Sequence, residues 1–164
     1  MLITVEHEGA TLSNFTPQAA LDAGVAQADV DAAVNALLTR NSDQGIDHVL
    51  DRVFTLSPSR VKRYDEKYQE ALAFRDAEYP AGAAAADYPY VLGGEAAARG
   101  LTAQEHCDAI IAKAEAFQAF GAQGETARAQ AKAAIEAAGT IEEKQAAANA
   151  AIEAMRQAAA PLMA

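Results

Sequence analysis

The groups from which this 164-residue chain could assemble a reactive centre are few: three histidines, one cysteine and 23 acidic side chains. His106-Cys107-Asp108 offers three metal ligands in a row. Successive helical residues, however, point about 100° apart and do not converge on one ion. Cys107 therefore reads as a small buried apolar residue and His106 as a helix-surface one. Glu6-His7-Glu8 lies in a strand-like segment, where His7 faces away from both carboxylates. Asn41-Ser42-Asp43-Gln44-Gly45 imitates a calcium loop, yet aligning its glycine places Arg40 and Gln44 where acidic ligands are required. Gly93-Gly94 lacks the strand, the third glycine and the following Lys-Ser/Thr of a phosphate loop, and reads as a flexible joint. No serine or cysteine has a histidine and a carboxylate at triad spacing. A small enzyme or metal-binding regulator built on Cys107, His106 and nearby acids is thus the least favoured reading. No catalytic residue, metal ligand or cofactor is expected.

Two other groups of residues fit contact better than chemistry. Tyr79, Tyr88 and Tyr90 cluster around prolines, with Pro89 and Val91 beside them, and tyrosine supplies large rigid area with a polar tip. They are candidates for a protein contact surface; the competing reading has them capping a thin core beneath their loop. Leu2, Ile3, Thr4 and Val5 belong to a β-branched, roughly alternating run closed by Gly9, a single short strand. A lone strand needs a neighbour, and none is evident after it. Pairing with another subunit, or an extended arm, is expected.

Composition points the same way. The sequence holds 44 alanines and 40 larger apolar residues. Alanine favours helix but buries little area, so helix forms readily while the core stays thin. Stability must come from close helix approach or from a partner. A net charge of −10 and pI near 4.6 argue against nucleic-acid binding, which needs a clustered basic surface. The one basic cluster, Arg60, Lys62, Arg63 and Lys67, has Asp65 and Glu66 set among it and reads as a salt-bridged solvated face. A lone cysteine leaves no internal disulfide and fits a reducing compartment. The start lacks the basic flank and apolar length of a signal peptide, and no run approaches the roughly 18 apolar residues that cross a membrane.

Helices must position these residues. Thr16-Pro17 starts one and Gly24 stops it. Val30, Val34, Leu37 and Leu38 share one face of a helix over 27–40, Asn41-Ser42-Asp43 marks a turn, and a short helix carries Ile46, Val49, Leu50, Val53 and Phe54. Ser57-Pro58-Ser59 is the predicted boundary between a unit at 1–56 and an alanine-rich bundle at 57–164. A helix then runs to about Tyr79 with Val61, Tyr64, Tyr68 and Leu72 as its apolar stripe, and Pro80 stops it. Tyr88-Pro89-Tyr90 is extended, and a short helix spans Glu95 to Arg99.

Thr102 and Glu105 form a capping box for a helix reaching Ala138, with Cys107, Ile110, Ile111, Ala114 and Phe117 inward; Gly121 and Gly124 mark a kink or a close contact. Gly139 reads as a C′ residue, and a second capping box at Thr140 and Glu143 opens a last helix that Pro161 ends near Ala160. So short a turn folds this helix back on the previous one. The expected class is mostly α: a helical bundle with an antiparallel C-terminal hairpin and a short N-terminal β-strand.

The stretch from Glu70 to Pro80, then Asp87-Tyr88-Pro89-Tyr90-Val91, then Glu95-Ala96-Ala97-Ala98-Arg99-Gly100-Leu101-Thr102-Ala103-Gln104, resembles a helical module of small tail or baseplate accessory proteins of tailed bacteriophages. The resemblance covers about residues 60–140. It implies a non-enzymatic virion component that binds or positions the tail fibre, or alternatively a fibre-assembly chaperone absent from the finished particle. Tail-fibre or baseplate proteins are the implied partners, with a homo-oligomer, by analogy with fibre symmetry a trimer, and no nucleic acid or membrane. The implied location is the virion tail or baseplate, reached from the host cytoplasm during assembly.

Overall fold

The computed structural model describes residues 1–54 and 58–163, so Ser57 of the predicted boundary lies outside the described residues. The order is β1 (Ile3–His7), β2 (Ala10–Phe15), α1 (Pro17–Asp22), α2 (Gln27–Val53), α3 (Pro58–Asp76), α4 (Gly94–Ala98), α5 (Ala103–Ala137) and α6 (Ile141–Met163). The class is mostly α, as expected. The chain divides into two compact units, 1–53 together with 122–164, and 54–121. The first cut falls close to the expected boundary at 56. A second lies inside α5 and returns the C-terminal segment to the N-terminal unit, because α6 packs along α2.

In the first unit the expected lone strand has its partner in the same chain. β1 pairs antiparallel with β2, with Val5 opposite Leu12 and His7 opposite Ala10. Glu8 and Gly9 both take left-handed φ, 50° and 80°, the requirement of a two-residue hairpin turn whose twist suits the flanking strands. Thr4 faces Ser13 while Ile3 faces Phe15, and the extra residue, Asn14, is left-handed at φ 63°. That bulge lets Leu12 and Phe15, three apart, pack against the core that holds Ile3 and Val5. Leu2 lies outside the strand and is exposed.

A second correction concerns Asn41-Ser42-Asp43, where α2 does not break but runs unbroken from Gln27 to Val53. Val30, Val34, Leu38, Ser42, Ile46 and Val49 form one buried stripe, and Ser42 sits on it with no exposure. Burial along α6 outweighs the weak helix preference of three polar residues, a few tenths of a kcal/mol each (about). Gly45 belongs to the same crossing: a Cβ there would stand 2.7 Å from Ile152 Cγ1 and closer still to Cδ1.

α1 is capped by Thr16, whose hydroxyl accepts the Ala19 N–H at 3.1 Å, and Gly24 closes it at φ 91°. The α5–α6 turn is held from both sides. Thr140 and Glu143 form the expected capping box, and the Glu143 carboxylate also accepts the Gly139 N–H at 3.0 Å. Gly139 is not among the left-handed glycines, so the predicted C′ role fails. Lys144, almost wholly buried, does that work: its ammonium donates to the Ile135 carbonyl near the end of α5, at 3.3 Å, and to Asn35 Oδ1 of α2, at 2.6 Å. A cation at the negative end of a helix dipole, with two hydrogen bonds, explains a buried lysine. Pro161 does not end α6, which continues to Met163; the ring sits exposed in the last turn, where only the Gln157 carbonyl loses its donor.

Candidate contact surface

The second unit is built around Ala71 and Phe74 of α3, Val91 of the Tyr-Pro-Tyr loop, and Cys107 and Ile111 of α5. α3 ends at Asp76 in a two-bond cap, with the Glu78 N–H on the Arg75 carbonyl and the Tyr79 N–H on the Phe74 carbonyl. Where most chains place glycine, Glu78 is left-handed at φ 57°, and Tyr79 follows at φ 55°. An aromatic residue is rare there. Tyr79 is held by its hydroxyl, which donates to Asp108 Oδ1 at 2.8 Å, and by its ring, edge-on to Phe74 at 6.0 Å. That hydrogen bond to a carboxylate raises the phenol above its usual range.

Tyr88 also meets Phe74 edge-on, with centroids 5.0 Å apart, and Val91 is fully buried. Glu70 on α3 accepts the Tyr90 and Val91 N–H groups on one oxygen, and the Tyr90 hydroxyl donates to Glu66 Oε2 at 3.0 Å, which raises its pKa as well. Tyr79, Tyr88 and Tyr90 are half-buried and Pro89 is exposed. The structure therefore brings Tyr79, Tyr88 and Val91 together as the lid of their own core, and leaves Pro89 and part of Tyr90 on the outside. Gly93 is no loose joint: the Pro89 carbonyl fills the space a Cβ would need, and the residue forms the N-cap of α4.

His106 departs most from expectation. It is fully buried, not on the surface, and neither ring nitrogen has a hydrogen-bond partner. Its Nε2 stands 4.0 Å from Glu95 Oε2, beyond hydrogen-bond reach. Glu95 is instead held by Lys67 at 2.6 Å, which sets its carboxyl below the usual range. Cys107 behaves as read, buried with its Sγ donating to the Ala71 carbonyl at 3.1 Å, and burial pushes the thiol up. Among the described residues no three His, Cys, Asp or Glu side chains are placed to hold a metal, and no helix is long and apolar enough to cross a membrane.

The feature that sequence reasoning missed lies at the other end of α3. Residues 59–66 are exposed on every side. Val61 and Tyr64, expected at the head of a buried stripe, are 53% and 52% exposed, while Tyr68 and Leu72 farther along the stripe pack into the unit. The expected salt-bridged face forms only in part. Lys62 pairs with Glu66 at 3.7 Å and Lys67 turns to Glu95, but Arg60 and Arg63 have no ion pair among the described residues. Periodicity finds such a stripe without telling which of its turns has a partner.

No protein-family model matches the chain, and no curated protein or solved structure gives a significant match.

Proposed function

We propose that this chain is a non-enzymatic structural protein of a bacteriophage tail, a helical component of the tail or baseplate that binds or positions the tail fibre. The observation that carries the docking part is the first half of α3, which presents two large apolar side chains to solvent together with two arginines that have no ion pair among the described residues. A helical stretch exposed on all sides buries little apolar surface in its own unit, and aromatic, apolar and arginine side chains are those that concentrate at protein interfaces. The tail setting rests on the sequence resemblance over residues 60–140, which takes in this helix, the Tyr-Pro-Tyr loop and α4. Fibre or baseplate proteins are the partners on this reading, with the virion tail as the destination and the host cytoplasm as the place of assembly.

Quantitative mass spectrometry of purified particles tests it. The chain is expected at a fixed ratio to the fibre protein. Its absence from particles, combined with binding to unassembled fibre chains, replaces the component by an assembly chaperone. Absence with no binding to either removes the tail reading.

A further inference from the structure

We infer that the first heptad of α3 is a docking face for a second copy of this chain, packed side by side in parallel. The inference rests on the reading of α3 as a contact surface and adds the partner and its orientation.

Val61, Tyr64 and Tyr68 are spaced as a, d and a of a heptad, which places Arg60 at g and Asp65 at e, one on each flank of the apolar seam. Val61 and Tyr64 are half-exposed, whereas Tyr68 belongs to the unit's own core. The free seam is therefore short and begins where the helix leaves the packed core of its unit.

Charge selects the occupant. Neither Arg60 nor Asp65 has an ion pair among the described residues, although the neighbouring Lys62, Glu66 and Lys67 all do. Five residues apart on one helix, they point about 140° from each other and cannot meet. In a parallel pair of helices the g residue of one chain faces the following e residue of the other, so Arg60 meets Asp65 of the second copy, and the reverse contact forms by symmetry. An antiparallel pair brings e against e and g against g, setting Asp65 against Asp65. One heptad buries far less than a standard interface, so the association is weak and depends on concentration.

Sedimentation of the full chain over a wide range of concentration, up to the millimolar range, tests this. Reversible self-association is expected. Because Val61 and Tyr64 are exposed, Val61→Ser with Tyr64→Ser should leave the helical circular dichroism and melting unchanged and abolish association. Asp65→Arg alone should weaken it about three- to tenfold, and Arg60→Asp combined with Asp65→Arg should restore it. Val61→Cys should form a disulfide with its own counterpart on oxidation, since parallel a positions meet, and Cys107 is buried and does not compete. A chain that stays monomeric throughout, or one whose association ignores the Val61 and Tyr64 substitutions, overturns the inference. So does a double charge swap that fails to rescue, or a Val61→Cys chain that does not cross-link. These outcomes are read on the isolated protein and are independent of whether the chain is found in particles.

Discussion

One carboxylate oxygen of Glu70 accepts the backbone N–H groups of Tyr90 and Val91, at 2.7 Å each. This ties the Tyr-Pro-Tyr loop to α3 and seats Val91 in the core of the second unit. Charge-assisted bonds to two partly buried amides are the stronger kind. Glu70→Ala should cost about 2–3 kcal/mol, because both donors lose their acceptor. Chemical denaturation measures it, and amide exchange at Tyr90 and Val91 should rise well before that of α5.

Gly45 is needed where α2 crosses α6. Gly45→Ala alone should destabilise by about 1–2 kcal/mol, since the added methyl meets the stiff β-branched Ile152 and strain outweighs the gain in helix preference. Adding Ile152→Val, which removes Cδ1, should recover most of the loss. Thermal melts of the two variants decide it; equal stability in both would show that α6 yields freely.

Three depressed glutamates give the protein a defined acid limit. Glu95 is lowered by Lys67, Glu105 by the Thr102 backbone and hydroxyl, and Glu143 by Thr140 and Gly139. A folded pKa below the ordinary 4.5 means that the unfolded chain binds the proton first as pH falls. The stabilisation is complete above about 4.5 and is lost as pH drops through the folded values. Glu143→Gln should flatten part of that decline while leaving neutral-pH helicity nearly unchanged, as followed by melting between neutral and acid pH.

His106 occupies a buried position without a hydrogen-bond partner. His106→Leu keeps the volume and removes two unsatisfied nitrogens, so stability should be unchanged or rise by about 1–2 kcal/mol. A large loss on thermal melting would show that the ring's weak field at Glu95 matters more than its desolvation.

Glu78 stands left-handed at the C′ position of α3, where glycine carries no Cβ penalty. Glu78→Gly should stabilise by up to about 1 kcal/mol, measured as a rise in the denaturation midpoint with an unchanged slope.

The sequence alone determined what depends on near neighbours. The Thr102–Glu105 and Thr140–Glu143 capping boxes, the Thr16-Pro17 start and the Gly24 end are legible because a cap joins residues three to five apart, and all are found in the structure. The inward positions of Cys107 and Ile111 on α5 were legible for the same reason, through period 3.6.

Only the tertiary structure decided the rest. Asn41-Ser42-Asp43 spells a turn locally, but α6 lies along that stretch and makes it helix. Asn14 is an ordinary loop residue until its bulge turns Phe15 inward. His106 looks solvent-facing by composition, yet its side of the first turn of α5 is covered. Val61 and Tyr64 continue a stripe that periodicity marks as core, and the packed core of their unit ends before reaching them. In each case what decides is whether residues far away in sequence cover the position, and burial energy follows that contact, not the local pattern.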